Sequence, residues 1–159
     1  MIAMHPKFAA FTSSLDYKLH ALLTSTPLTF GQLPTGMSKA GVYLFTEHEK
    51  HLYVGRSNRL RARYFLHCRP GSRQNQASFA YKLARESLGI TGRSYVAGPM
   101  TRSGLAASED FMTAFDLAKL RVQKMAYRHV EETDQTRQAL LEAYCAIVLE
   151  SPYNDFDTH

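Results

Sequence analysis

GVYLFTEHEKHLYVG, residues 41–55, carries the plainest structural signal of the chain. It contains two short runs of β-branched and aromatic residues, 41–45 and 51–55, on either side of the polar stretch 46–50. Runs of this composition separated by a few polar residues are typical of an antiparallel hairpin. The segment therefore predicts two paired strands joined across residues 46–50.

Helical spacing of apolar residues surrounds this hairpin. It predicts an N-terminal helix over about residues 8–23, ended before Pro27, and a basic helix that runs to about residue 67 with Ser57 or Asn58 as N-cap. A loop is expected at residues 31–40 and a glycine-punctuated connection at residues 89–104. The remaining helices are expected at residues 77–87, 109–121 and 134–150.

A third strand is predicted at residues 125–131, with Tyr127 and Val130 on opposite faces. The expected fold class is therefore α+β, a small three-stranded and mainly antiparallel sheet flanked by helices. Because no repeat or linker divides the sequence, residues 1–159 are expected to form one domain.

Composition gives weaker guidance about function. No stretch reaches the roughly 18–20 apolar residues that span a bilayer, and the N-terminus lacks a signal-peptide pattern. The two cysteines, Cys68 and Cys145, lie far apart, so a structural zinc site or a disulfide framework is not expected and a cytoplasmic location is. The net charge of +5 favours a polyanionic partner.

The distribution of charge is more informative than its sum. Residues 56–73 contain six arginines and no acid, whereas seven of the fourteen acids lie at residues 131–157. A basic segment and an acidic segment in one small chain suit a site that holds both a phosphate and a cation.

One face of the predicted basic helix carries Leu60, Arg63, Tyr64 and His67, at positions i, i+3, i+4 and i+7. Arg63 and His67 would be neighbours one turn apart and could bind one phosphate together. The alternative is a solvated basic helix whose Leu60 and Tyr64 pack inward.

Glu142 lies on the last predicted helix among apolar neighbours, including Ala139, Cys145 and Ala146. A carboxylate in such surroundings is costly unless it is paired or protonated. The sequence predicts a positively charged partner, which could be an arginine or a divalent metal ion.

The order of these residues resembles the GIY-YIG nuclease superfamily. Gly41-Val42-Tyr43 and, ten residues after Tyr43, Tyr53-Val54-Gly55 resemble its paired motif. Arg63 follows after another ten residues, where the family has an arginine, and His67 stands where several members carry histidine.

The resemblance continues in a second block. Glu142 is similar to the family's metal-binding glutamate, and Asn154 ends Ser151-Pro152-Tyr153-Asn154, similar to the close of the excision-repair incision subunit. Residues 153–159 resemble the close of small stand-alone bacterial members. The likeness covers residues 41–67 and 125–154, with the N-terminal helix and a helical insertion at residues 68–120 outside it. Arg59 departs from the repair subunit, which usually has asparagine there, so the helix cap is in doubt.

The resemblance implies a metal-dependent endonuclease that hydrolyses phosphodiester bonds in DNA. A single Mg²⁺ or Mn²⁺ would be held by Glu142, a tyrosine would be the general base with Tyr43 favoured over Tyr53, and Asn154 would orient Glu142 or the water network. Arg63 would bind the scissile phosphate and His67 would add a second donor. Further nucleic-acid contacts are expected from Arg56, Ser57, Arg59, Arg61, Arg69 and Arg73.

Several alternatives stay open. The chain could be a catalytically inactive nucleic-acid-binding module of the same fold, or a structural protein that happens to be basic. The insertion could read base edges through Arg73, Lys82, Arg85, Arg93 and Arg102, or it could buttress the sheet. The sequence leaves open DNA or RNA, the biological role, and a monomeric or homodimeric state.

Overall fold

The computed structural model describes residues 1–91, 99 and 101–156. The chain folds into two compact units. One consists of residues 1–61 with 126–159, and the other consists of residues 62–125. We call the first the sheet unit and the second the helical unit. The helical unit contains the whole predicted insertion, residues 68–120. Within the described ranges, every helix is too short or too polar to cross a membrane.

A three-stranded antiparallel sheet forms the centre of the sheet unit. Its strands are β1 (Gly41–Glu47), β2 (Lys50–Ser57) and β3 (Ala126–Glu131), in the spatial order β2-β1-β3. Helices flank this sheet, so the predicted α+β class with a small antiparallel sheet is confirmed. The helices of the described chain are α1 (Pro6–Thr12), α2 (Leu15–Thr24), α3 (Leu60–Cys68), α4 (Ser78–Ser87), α5 (Arg102–Ala106), α6 (Glu109–Gln123) and α7 (Gln135–Val148).

The hairpin between β1 and β2 has a tighter turn than the sequence predicted. Only His48 and Glu49 lie between the strands, and their φ angles are 49° and 64°. Two successive positive φ values match a turn whose twist fits that of the paired strands. The expected five-residue connection was therefore too long, because glycine and asparagine, which usually signal such a turn, are absent from it.

The single N-terminal helix predicted over residues 8–23 is in fact two helices, α1 and α2. They are separated at Ser13 and Ser14, and Ser14 has φ −98° and ψ −1°. The Ser13 hydroxyl donates to the Ala10 carbonyl at 3.2 Å, while the Thr12 hydroxyl donates to Ala9 at 3.2 Å. Hydroxyl side chains that bond to nearby backbone groups compete with helix continuation, which accounts for the break.

The core of the sheet unit lies between one face of the sheet and two helices. Val42, Leu44 and Val54 project from the strands, and α2 and α7 cover them with Leu19, Leu22, Leu141, Cys145 and Ala146. Val130 packs against this core. The opposite face is aromatic, because Tyr127 lies against Tyr43 and Phe45 with ring centroids 5.7 and 5.2 Å apart. Tyr127 and Val130 thus lie on opposite faces, as predicted.

Two short segments run beside the outer strands. Leu28 exchanges two backbone hydrogen bonds of 2.8 Å with Tyr127 of β3. On the other side, the Tyr153 amide donates to the Leu52 carbonyl of β2 at 3.2 Å.

The helical unit has its own aromatic core between α4 and α6. Tyr81 meets Phe111 edge to face at 5.5 Å, and Phe111 stacks with Phe115 at 6.1 Å. Lys119, buried on α6, donates to the carbonyls of Pro70 at 2.7 Å and Ser72 at 2.9 Å. A buried lysine with these acceptors fixes the loop that follows α3 onto α6.

Helix α5 lies where the sequence predicted only a connection. Its N-cap is Thr101, whose hydroxyl accepts from the Gly104 amide at 3.1 Å. This cap satisfies one of the amides at the start of a five-residue helix. The correction concerns only the end of the predicted connection, because residues 92–98 and 100 lie outside the described residues.

Candidate functional site

The two glycines of the paired motif stand where a side chain would collide with the sheet. A Cβ built on Gly55 would lie 2.2 Å from the Tyr43 hydroxyl oxygen, and one built on Gly41 would lie 1.9 Å from the Val130 carbonyl oxygen. Gly55 is the register partner of Tyr43, so the phenol lies over the glycine. A side chain at position 41 would collide with the backbone of β3, and one at position 55 would displace the Tyr43 ring, so glycine leaves both neighbours in place.

The two motif tyrosines lie on the aromatic face of the sheet and differ in exposure. Tyr43 is only 2% exposed and stacks on Tyr127, whereas Tyr53 is half-buried. Their ring centroids are 6.4 Å apart. The structure thus brings the two predicted tyrosines together, but only Tyr53 has substantial contact with solvent.

Glu142 pairs with Arg56. The Arg56 Nε donates to the Glu142 Oε2 at 3.1 Å, and the two side chains are 41% and 31% exposed. Burial raises the pKa of the Glu142 carboxyl, and the neighbouring Arg56 guanidinium opposes that rise. Of the two partners that the sequence left open, this structure contains the arginine.

Asn154 binds β2. Its Oδ1 accepts from the Val54 amide at 2.8 Å and from the Ser151 hydroxyl at 2.7 Å, and its Nδ2 donates to the Val54 carbonyl at 2.7 Å. The expected orientation of Glu142 by Asn154 is therefore not what the structure contains, because both ends of this carboxamide are bonded elsewhere. Asn154 instead fixes the backbone between Tyr53 and Gly55.

Two segments that are distant from β2 in sequence, α7 and residues 151–154, therefore contact β2 within residues 53–56. Alternation along the strand directs Tyr53 to the aromatic face and Arg56 to the face that α7 covers. Glu142, on α7, and Tyr53 consequently lie on different sides of an outer strand. The sequence analysis did not identify Arg56 as the partner of Glu142. Strand alternation was the available signal, because Arg56 lies two residues after the core residue Val54 and therefore points to the same face of β2.

Arg63 and His67 belong to the helical unit. Arg63 donates from Nη1 to the Gln76 carbonyl at 3.1 Å and from Nη2 to the Ser78 hydroxyl at 3.2 Å. His67 is completely buried, and burial, followed by the charge of Arg63, holds its pKa well below the usual range. The two side chains are neighbours as predicted, but His67 is shielded from solvent.

The expected nucleic-acid contacts have varied surroundings. Arg61 donates to the carbonyls of Leu33 at 3.0 Å and Pro34 at 3.1 Å, and so ties down the loop before β1. The Ser57 hydroxyl accepts from the Arg59 amide at 2.9 Å, two residues on, and α3 begins at Leu60. The exposed members of the set are Arg56, Arg59, Arg61, Arg69 and Arg73.

Arg102, one of the insertion arginines expected to contact bases, is engaged within the helical unit. Arg102 donates to the Gln74 carbonyl at 2.7 Å and lies 4.0 Å from the centroid of the Tyr81 ring. Its guanidinium therefore serves the packing of the helical unit. Arg93 lies outside the described residues.

A metal ion could be held here by one protein ligand. Among residues 1–91, 99 and 101–156, no three or more histidine, cysteine, aspartate or glutamate side chains gather at one point. Glu142 is a half-buried carboxylate that still reaches solvent, and Mg²⁺ keeps several waters while binding one or two carboxylates. The donor set fits Mg²⁺ or Mn²⁺ held by Glu142 and water.

Compared with protein-family models, with curated proteins and with solved structures, the chain gives no match to any of the three.

Proposed function

We propose that this chain is a metal-dependent endonuclease of the GIY-YIG type, which hydrolyses phosphodiester bonds in DNA. The observation that carries the proposal is that two contacts converge on β2 at neighbouring positions, where Asn154 binds the Val54 backbone and Glu142 of α7 pairs with Arg56. The two contacts join residues that are 100 and 86 positions apart in the chain. Contacts of Glu142 and Asn154 with β2 support the catalytic site that the resemblance to GIY-YIG nucleases implies beside this strand.

Glu142 is the proposed ligand of Mg²⁺ or Mn²⁺. Such a cation, when bound, would stabilise negative charge on the phosphoryl and leaving oxygens. The Arg56 guanidinium beside it keeps part of its surface exposed and is the proposed contact to a phosphate of the backbone. Because one oxygen of Glu142 already accepts from Arg56, this arginine also keeps the carboxylate ionised and oriented.

Tyr53 is the better candidate for the general base, although the sequence favoured Tyr43. A base must reach the attacking water, and Tyr43 is 2% exposed with its phenol packed over Gly55. We assign Tyr43 the role of supporting the Tyr53 ring. A phenol has an ordinary pKa near 10, so base action at neutral pH requires nearby positive charge.

The remaining predicted residues take narrower roles. Asn154 holds the Val54 backbone and thereby positions Tyr53, which precedes it. Arg63 keeps the phosphate-binding role that the resemblance implies, as a prediction. His67 receives no contact with substrate in this proposal, because it is fully buried.

A cleavage assay tests the proposal. Supercoiled plasmid, single-stranded DNA and RNA are incubated with the protein in Mg²⁺, Mn²⁺ or EDTA, beside Glu142→Ala and the control Glu109→Ala, an exposed glutamate on α6. We expect cleavage that depends on the metal, persists in the control, and falls at least a hundredfold in Glu142→Ala while DNA binding is retained. Undiminished metal-dependent cleavage by Glu142→Ala would remove Glu142 from the metal role.

A second candidate is an inactive nucleic-acid-binding module. It is favoured by one observation, the engagement of the Arg63 fork by Gln76 and Ser78, which gives this arginine a structural use. DNA binding at low salt without cleavage of any of the three substrates would favour this module over the nuclease.

A further inference from the structure

A groove on the helical unit has no part in the proposed nuclease site. It encloses about 490 Å³ between α4 and α6. Leu83, Ala114 and Ala118 contribute to its floor, and the large side chains of Leu88 and Leu117 border it. Leu88 and Leu117 are 44% and 63% exposed. Large apolar side chains exposed beside an apolar groove mark a surface that binds a protein, a membrane or a ligand, and the charges around the groove distinguish among these.

Charged residues lie at both ends of this groove. Asp110 stands in the first turn of α6 and Arg121 in its last, and both line the groove and are exposed. A helix rises about 1.5 Å per residue, so the two side chains are separated by roughly 16 Å along α6. The groove therefore presents a negative end, an apolar middle and a positive end.

This distribution of charged and apolar residues is self-complementary under a two-fold rotation. A two-fold axis beside residues 115–116 of α6 would place Asp110 of one copy opposite Arg121 of the other, and the reverse pair would form as well. The same operation places the large Leu117 opposite the small Ala114. Charge and size thus match across one rotation, as an isologous contact requires.

We propose that this groove binds a second copy of the same chain, with α6 packed antiparallel against α6 of its partner. Leu117 of each copy enters the groove of the other and lies against Ala114 and Ala118. Asp110 and Arg121 pair at both ends of the contact. One helix and the adjacent end of α4 form a small interface, so the dimer is expected to be weak and dependent on concentration.

This inference does not depend on the nuclease proposal. Where both hold, the dimer carries two catalytic sites and the monomer carries one.

Sedimentation equilibrium of the full chain tests the proposal, over concentrations from about 1 to about 500 µM, which span the dissociation constants of weak dimers. The wild type is expected to pass from monomer to dimer within this range. Leu117→Ser should weaken the dimer at least tenfold. The matched control is Ile147→Ser, which removes an apolar side chain that is 67% exposed on α7. Circular dichroism confirms that each variant is folded.

Charge reversal at Asp110 and Arg121 provides a second test, which is specific for the proposed ion pairs. Asp110→Arg alone and Arg121→Asp alone each place like charges opposite one another and should weaken the dimer about tenfold or more. The double variant Asp110→Arg with Arg121→Asp restores opposite charges and should return to within about threefold of the wild type. A wild type that stays monomeric throughout, or a dimer weakened by Ile147→Ser but not by Leu117→Ser, would overturn the proposal.

Discussion

The phenol of Tyr43 occupies the space that a side chain on Gly55 would need. The Tyr43 hydroxyl oxygen and ring carbons lie 2.2 to 2.8 Å from a Cβ built at Gly55. Tyr43 and Gly55 are directly opposite each other on β1 and β2. Because Gly55 has no side chain, the Tyr43 ring can occupy this space.

Gly55→Ala should therefore displace Tyr43. Because Tyr43 is enclosed by Tyr127 and Phe45, its ring cannot move freely, and we expect a loss of about 1–3 kcal/mol in the free energy of unfolding. Urea denaturation measures this loss. Gly36→Ala is the control, since nothing lies within 4 Å of a Cβ there. Equal stability of the two variants would contradict the overlap.

Arg56→Gln should raise the pKa of Glu142 further. Arg56 is the group that opposes the rise caused by burial, so its removal leaves burial unopposed. The free energy of unfolding should change by less than about 1 kcal/mol, because both side chains are partly exposed. A carboxyl-carbon NMR titration follows Glu142 directly, with Arg59→Gln as control. If the nuclease proposal holds, the acidic limb of the rate profile also moves to higher pH. An unchanged or lower pKa would show that Arg56 does not control this carboxyl.

Asn154→Ala should loosen the centre of β2. The change removes three hydrogen bonds and leaves the Val54 amide and carbonyl without this partner, so a loss of about 2–3 kcal/mol is expected. Hydrogen exchange of the Val54 amide should quicken, and urea denaturation gives the stability. Asn75→Ala, at an exposed position, should stay within about 0.5 kcal/mol of the wild type. Unaltered exchange at Val54 would argue against the observed contacts.

The free energy of unfolding should fall as the pH drops below about 6.5, the ordinary histidine pKa. Burial lowers the pKa of His67, His129 and His51 in the folded chain, so the unfolded chain binds protons first. Each histidine can contribute a slope of up to about 1.4 kcal/mol per pH unit between its folded and unfolded values. Glu142 acts in the opposite direction. Burial raises its pKa, so the ionised carboxylate destabilises the folded chain, and this destabilisation disappears when the carboxyl is protonated at low pH.

Urea denaturation at several pH values between about 5 and 8 measures this dependence on histidine titration. His67→Gln should flatten the slope more than His20→Gln, a change at an exposed position of α2. A slope that is the same in both variants would mean that His67 does not carry the effect.

The strands and most helices follow from local sequence patterns. Alternating aromatic and β-branched residues give β1 and β2, and apolar periodicity gives α4, α6 and α7 within a few residues. The turn at His48 and Glu49 does not follow, because nothing in these residue types favours two positive φ values. The break at Ser13 and Ser14 is likewise decided by local hydroxyl bonds that compete with an otherwise regular helical pattern.

The candidate site was predictable as a set of residue types and not as a set of contacts. The need of Glu142 for a positive partner follows from its apolar neighbours, but the choice of Arg56 depends on the packing of α7 on β2. The hydrogen bonds of Asn154 depend on where the chain returns after α7. These contacts join residues that are 100 and 86 positions apart, and no local sequence pattern predicts contacts between residues so far apart.

The segments that run beside the sheet have a further consequence. A strand at the border of a sheet offers unpaired amides and carbonyls, which invite the addition of a foreign strand and so aggregation. Asn154 and Tyr153 occupy these groups along Leu52 and Val54, and Leu28 does the same beside Tyr127. Both outer strands of this three-stranded sheet therefore have backbone groups that are already bonded at these positions. Asn154, which supports the candidate site, also makes the Val54 amide and carbonyl unavailable to a strand from another molecule.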